Sequence, residues 1–225
     1  MPKASSSRPM AAAPPRVRRG YFECRYGQLH VHNAIPSGGG FEEAPPLLCL
    51  HASPLSGRTF ARFLAVAGVR RSVFAPDLPG FGDSDPPPSR PGVAEHAAAV
   101  GDFLDAMRLR QIDLLGHRYG ALVAAELAAA RPAQVRRLVL VSPPLAADTA
   151  ELQLPTAAGG GSHLLEEWRH AAAYCGANAP ADAVTAALAE RLRNASPAAA
   201  AAAAERGYAL FPRLAQLSVP LLVLR

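Results

Sequence analysis

Short apolar runs alternate with longer segments of helical periodicity along most of the chain. The runs at residues 46–50 and 72–75 are typical of strands buried on both faces, and further short apolar runs cover residues 112–115, 135–141 and 219–224. Apolar side chains recur at helical spacing between the runs, in residues 57–67, 93–107 and 121–130. Strands that alternate with helices pair in parallel through right-handed crossovers. The sequence therefore predicts an α/β fold with a mostly parallel, open sheet and flanking helices.

Two segments fall outside this alternation. Residues 21–24 and 29–33 flank Tyr26 and Gly27 and predict a β-hairpin ahead of the first buried strand. Helical patterns follow the fourth run, at residues 163–174, 181–192 and 198–204. Helices inserted between two strands are expected over the strand ends, where α/β proteins bind ligands. The predicted units are a leader at 1–20, a core at 21–144, a helical cap at 145–217 and a core strand at 218–225.

The charge distribution argues against a nucleic-acid partner. The formal net charge is +5, with 23 basic and 18 acidic residues, but five of the basic residues lie in the acid-free stretch before residue 20. The remaining chain is balanced, whereas a nucleic-acid groove needs a clustered basic face. The leader is rich in Ser, Pro and Ala and is predicted to be disordered.

No apolar run is long enough to span a bilayer, and no apolar segment typical of a secretory signal follows the leader charges. The sequence thus predicts a cytoplasmic protein without a membrane partner. Cys24, Cys49 and Cys175 are scattered and show no metal-ligand spacing. No metal or organic cofactor is predicted, and Cys49, inside an apolar strand, is interpreted as a packing residue.

Three motifs follow predicted strands in a fixed order. His51-Ala52-Ser53-Pro54 follows the first buried strand, a segment from Asp77 to Ser84 (DLPGFGDS) follows the second, and Gly116-His117-Arg118-Tyr119-Gly120 joins the third to a helix. The last pentad has the frame of the G-x-S-x-G nucleophile elbow, in which glycines on both sides admit a tight strand-to-helix turn. Together the motifs make residues 21–225 resemble the α/β-hydrolase superfamily of the kind with a helical cap.

The resemblance implies a site built from backbone groups at two of these motifs. The backbone N–H groups of Ser53 and Tyr119 correspond to the oxyanion hole, although Ala52 replaces the usual glycine. The family places an acid after the strand at 219–224 and a histidine after one more strand; this sequence contains neither, nor the strand and helix that flank that edge. Asp148 lies where some relatives place the acid instead.

Arginine stands where the elbow has its nucleophile. The Arg118 guanidinium carries donors only and has no lone pair for attack on a carbonyl. Neither His117, expected to face away from the site, nor His51, expected to be structural, is predicted to act as a general base. His163 and His170, seven positions apart with Glu166 and Glu167 between them, are interpreted as a solvated helix face in preference to a metal or proton-shuttle pair.

Three functions remain open at this point. The resemblance implies a hydrolase of small ester or lactone-type substrates, and the incomplete triad predicts that this activity is lost. Alternatively, the chain is a pseudoenzyme in which Arg118, at the positive end of a helix dipole, binds an anionic small molecule together with the oxyanion amides. The third possibility is a truncated, inactive product whose exposed last strand promotes aggregation.

Overall fold

The computed structural model describes residues 15–38, 44–145 and 160–225. The strands are β1 Arg18–Cys24, β2 Gly27–Ala34, β3 Leu47–Leu50, β4 Val73–Pro76, β5 Ile112–His117, β6 Val135–Val141 and β7 Leu221–Leu224. The helices are a 3-10 turn at Gly57–Phe60, α1 Ala61–Ala67, α2 Val93–Ala106, α3 Tyr119–Ala130, α4 Ser162–Cys175, α5 Ala181–Arg193, α6 Ala195–Arg206 and α7 Leu210–Leu214.

The strands form one seven-stranded sheet in the order β1-β2-β4-β3-β5-β6-β7. From β4 to β7 every neighbouring pair is parallel, while β1 and β2 pair antiparallel with each other and β2 with β4. The predicted mostly parallel α/β fold is confirmed. The carboxyl ends of β3, β5 and β6 therefore lie at one edge of the sheet, with Ser53, Arg118 and Ser142 in the loops that follow them.

Helix α3 is buried on almost all sides, which explains its nearly continuous apolar sequence. It packs against β5 and β6, and also contacts α2, α6 and α7. Helix α2 is fixed to the sheet by Phe103, whose ring meets Phe74 edge-on at 5.7 Å and Phe22 at 5.1 Å between centroids. Such edge-to-face pairs add to the free energy gained by burying the rings.

The structure corrects two predictions near the start of the chain. Strand β1 begins at Arg18, and Arg18, Arg19 and Gly20 pair with β2, so the leader predicted for residues 1–20 does not include residues 18–20. Backbone pairing needs no apolar side chain, which is why composition missed it. Residues 1–14 lie outside the described residues. The helix predicted at 57–67 begins instead as a 3-10 turn, in which the Gly57 N–H donates to the Asp77 carboxylate at 2.7 Å.

The segment after β6 contains the three predicted helices in longer form, as α4, α5 and α6, and a short helix α7 that the sequence did not predict. Leu210 of α7 is buried in the main core. Strand β7 pairs with β6 at the sheet edge, and its four side chains are 40–52 % exposed. No helix in the described part of the chain has both the length and the apolar character required to cross a bilayer.

Candidate ligand site at the strand ends

Arg118 occupies the turn between β5 and α3 in a backbone conformation that L-residues rarely adopt. Its φ is 50° and its ψ is −116°, a strained combination that persists only where the surroundings impose it. Two backbone hydrogen bonds hold the turn: the Arg118 N–H donates to the Val141 carbonyl at 2.9 Å, and the Ala121 N–H donates to the Arg118 carbonyl at 2.8 Å. The turn therefore presents the side chain at position 118 above the sheet edge.

The two glycines of the pentad allow backbone segments to approach each other without side chains between them. A Cβ atom on Gly116 would lie 2.6 Å from the Ala121 Cα. One on Gly120 would lie 2.6 Å from the carbonyl oxygen of His51. Both neighbours are main-chain atoms with little freedom to move, so these positions require glycine.

The guanidinium of Arg118 has no carboxylate partner among the described residues. None of them lies within ion-pair distance of it, and the residue is exposed. The Asp77 carboxylate is engaged by Gly57, Asp83 and His30. Asp148, the alternative acid expected from the sequence, lies outside the described residues. A cation at a helix N-terminus without a counter-charge is unfavourable, because it meets the positive end of the helix dipole.

Arg118 faces a cavity of about 280 Å³. Its floor comes from the loops at the strand ends and its cover from α4, α5 and α6. The residues of the floor are Ala52, Ser53, Pro54, Leu55, His117, Arg118, Tyr119 and Ser142, and those of the cover are Tyr174, Arg191, Ala202, Glu205 and Arg206. The α4–α6 helices thus lie over the carboxyl edge of the sheet.

Ser53 and Tyr119, whose N–H groups were expected to form an oxyanion hole, line this same cavity. Neither N–H donates a hydrogen bond to a described residue. The Ser53 hydroxyl is also buried without a hydrogen-bond partner in that part of the chain, a feature that the sequence did not indicate. Buried polar groups normally have partners, so this hydroxyl is an exception within the loop that forms part of the floor.

The charges of the lining are mostly positive. Arg191 is neutralised by the buried carboxylate of Glu167, with 2.5 Å between Nε and Oε2, whereas Arg118 and Arg206 form no ion pair with described residues. Glu205 is the one carboxylate among the lining residues described. Burial raises the pKa of Glu205, and the charges of Arg118 and Arg206 oppose that rise. The lining therefore favours a negatively charged ligand.

The histidines near the pentad have different roles. His51 is fully buried, its Nδ1 donates to the Ala52 carbonyl at 3.0 Å, and its Nε2 accepts the Leu78 N–H at 2.9 Å. Both nitrogens are occupied by the backbone, so His51 is structural. His117, expected to face away, lines the cavity; burial, followed by the nearby Arg118 charge, lowers its pKa.

The Tyr119 side chain packs in the main core, and the residue also borders the cavity. Its hydroxyl lies 2.8 Å from Nδ1 of His96 on α2, and both side chains are 1 % exposed. His96 also lies 3.3 Å from the Pro79 carbonyl through Nε2. This pair links α2 to the start of α3. The sequence signal for it was a histidine on the apolar face of a helix.

Asn194, between α5 and α6, joins the covering helices to the core. Its Nδ2 donates to the Pro54 carbonyl at 2.9 Å and its Oδ1 accepts the Gly82 N–H at 2.9 Å. The side chain is 1 % exposed. One buried amide thus connects the α5–α6 corner to the loops after β3 and β4.

His30, His32 and Asp77 place potential ligand atoms within 4.8 Å of one another. The Asp77 carboxylate already accepts hydrogen bonds from the N–H groups of Gly57 and Asp83 and lies 2.8 Å from Nδ1 of His30. Burial acts to raise the pKa of Asp77, but the hydrogen bond from His30 and the other favourable contacts hold it below its usual value. This bonding accounts for the cluster as a structural link between β2, β4 and the 3-10 turn.

The remaining chemical candidates have structural partners. His170 lies 3.3 Å from Glu167, whose main partner is Arg191. Cys49 is fully buried, and burial strongly raises the pKa of its thiol. A thiol kept protonated in this way is a poor nucleophile.

Residues 45–204 match the sequence profile of the alpha/beta hydrolase fold family. Among curated proteins, epoxide hydrolase 2 of Siraitia grosvenorii is 40 % identical over 120 residues, which cover 51 % of this chain and 35 % of that protein. The 2-hydroxymuconate semialdehyde hydrolase of Pseudomonas sp. (strain CF600) is 37 % identical over 116 residues, 48 % of this chain and 38 % of its own. The matched part is thus little more than a third of the length of either relative.

Two solved structures have similar folds. A hydrolase from Pseudomonas aeruginosa PA01 superposes with a TM-score of 0.73 at 23 % identity, over 91 % of this chain and 78 % of its own. An N-acyl homoserine lactonase mutant in complex with N-hexanoyl homoserine lactone gives a TM-score of 0.70 at 22 % identity, over 91 % and 77 % of the two chains. At these identities the likeness concerns the fold.

Proposed function

The chain belongs to the alpha/beta hydrolase fold family, and from that premise we propose that it binds a small carboxylate-type anion at Arg118 and forms no acyl intermediate there. The observation that carries the proposal is the guanidinium of Arg118 at the turn between β5 and α3, which is exposed, lines the cavity and has no described carboxylate partner. A guanidinium is a planar donor that matches a carboxylate with two parallel hydrogen bonds.

The surroundings of Arg118 support an anionic ligand. Ser53 and Tyr119 line the same cavity, and their N–H groups have no partner among the described residues. A helix N-terminus supplies further positive potential, here from α3. An anion would satisfy the backbone donors and the guanidinium together.

Hydrolysis of a small ester or lactone is the second candidate function. The names of the relatives, which include an epoxide hydrolase and a 2-hydroxymuconate semialdehyde hydrolase, support hydrolysis in general, and backbone donors such as those of Ser53 and Tyr119 suit a carbonyl substrate. An oxyanion hole alone retains part of the rate enhancement when catalytic side chains are removed. The two candidate functions assign different roles to Arg118. In the first it binds an anion without any reaction, and in the second it takes part in hydrolysis.

Replacement of Arg118 by glutamine is expected to weaken butyrate binding about 30-fold or more, since one charge-assisted donor pair to the anion is lost. Isothermal titration calorimetry at low ionic strength measures this directly. Arg62→Gln is the matched control, because Arg62 is an exposed arginine on α1 outside the cavity. Equal butyrate affinity in the Arg118→Gln and Arg62→Gln proteins would contradict the proposal.

Turnover assays separate the second candidate. If the unmodified protein hydrolyses p-nitrophenyl butyrate or a lactone and Arg118→Gln abolishes this activity, Arg118 is a catalytic electrophile and the binding proposal is insufficient. We expect no turnover above the buffer rate.

Glu205→Gln is expected to strengthen anion binding at pH 7 by roughly tenfold, because a carboxylate that shares the cavity with the ligand is removed.

Burial raises the pKa of Glu205, so its charge disappears as the pH falls, and the unmodified protein should bind anions more tightly toward pH 5. Butanesulfonate is the appropriate probe, since it stays ionised throughout. The affinity for butanesulfonate should depend less on pH in the Glu205→Gln variant, and the pH dependence that remains should come from His117. An unchanged pH dependence would show that Glu205 does not face the ligand.

A further inference from the structure

A second cavity, of about 360 Å³, is also lined by Glu205 and Arg206. Both residues also line the first cavity, so the two compartments share one wall formed by the end of α6. Beyond this wall the lining is almost entirely apolar or aromatic: Leu145, Tyr208, Ala209, Leu210, Phe211 and Pro212.

The two compartments differ in chemistry in the way that the two ends of an amphiphile differ. The first contains Arg118 and the free backbone donors. In the second, the Tyr208 hydroxyl is directed to Glu126, to which it donates at 3.0 Å, so its ring is left for apolar contact. Phe211 is 65 % exposed, which leaves an aromatic surface to be covered.

Arg206 is the part of the shared wall along which an alkyl chain is proposed to pass. The Arg206 side chain is exposed, forms no ion pair with a described residue, and has an apolar stem that can lie along an alkyl chain while the charged head stays in water. Its charge also attracts the anionic head toward the first cavity.

From this arrangement we infer that the ligand is an amphiphilic carboxylate, with its head at Arg118 and its alkyl chain passing Arg206 into the second cavity. The inference rests on the proposed function for the head group and adds the class of tail, a linear aliphatic chain of medium length. Burying methylenes then adds affinity to that of the carboxylate head.

The test is calorimetric titration of the unmodified protein with sodium butyrate, hexanoate, octanoate and decanoate below their micellar concentrations. Burial of each methylene is expected to raise affinity about fourfold until the second cavity is full. Butyrate binding without any gain from longer chains would overturn the inference and leave the proposed function standing. Failure of every carboxylate to bind would overturn both.

A cavity-filling variant tests the location of the tail. Ala209→Leu places extra volume in the second cavity, so the ratio of decanoate to butyrate affinity is expected to fall at least tenfold. Ala203→Leu is the matched control, because Ala203 is an exposed alanine of α6 that lines neither cavity. An identical affinity ratio in the two variants would overturn the assignment. Leu145→Ser, which removes apolar surface without adding volume, should lower the same ratio and provides the test if Ala209→Leu does not fold.

Discussion

Replacing Gly120 by alanine is expected to destabilise the protein by about 3 kcal/mol or more, and so to lower its Tm by roughly 10 °C. The added Cβ would lie 2.6 Å from the His51 carbonyl oxygen, and the Leu50 carbonyl oxygen is nearer still. Leu50 is the last residue of β3, which is fixed by pairing with β4 and β5, and His51 follows it directly. To relieve this steric overlap, α3 would have to move away from the sheet, and that movement would open the core.

Differential scanning calorimetry of the Gly120→Ala protein measures the loss. Gly160→Ala is the control, since a Cβ there meets no atom within 4 Å; its Tm should stay within about 1 °C of the original. A Gly120→Ala protein as stable as this control would show that the turn at Arg118 is not as close to β3 as the structure indicates.

Asp77→Ala should cost about 3 to 5 kcal/mol of unfolding free energy, the range for removing one partner from a buried charged network. Asp77 is 1 % exposed, and its carboxylate accepts the N–H groups of Gly57 and Asp83 and contacts His30. Alanine leaves these buried donors without an acceptor. Urea denaturation followed by circular dichroism gives the free energy.

Asp105→Ala provides the comparison for Asp77→Ala. The Asp105 carboxylate is paired too, with Arg131 at 2.7 Å, but the Asp105 side chain is 57 % exposed. Exposed pairs contribute less than about 1 kcal/mol because water and salt screen them. If the two variants lose similar stability, the free energy does not come from the buried network around Asp77.

The sequence predicted those parts of the fold that depend on local patterns. The buried strands were found because continuous apolar runs mark them, and the positions of Gly116 and Gly120 followed from the turn that they flank. Strand β1 was missed before Tyr21 because Arg18 and Arg19 pair through their backbones. The short helix α7 was missed because it depends on burying Leu210 against the core.

The sequence indicated the floor of the candidate site better than its cover. Ser53, Arg118 and Tyr119 lie in motifs that can be recognised one at a time. The covering residues line the same cavity only because of the tertiary arrangement of α5 and α6; they are Arg191, Glu205 and Arg206. No local sequence pattern predicts that they lie near the floor residues. The unpaired Ser53 hydroxyl is likewise a property of the assembled loop.

The position of Asn194 bears on how a ligand would enter and leave the cavity. Its two hydrogen bonds connect the α5–α6 corner to Pro54 and Gly82, and breaking both would leave a buried amide and two backbone groups unsatisfied. We therefore expect the α5–α6 corner to stay attached to the core if the covering helices move. Such motions occur over microseconds to milliseconds. Ligand association and dissociation should occur on the same timescale. The dissociation rate should depend on the part of the covering helices that lies farthest from Asn194.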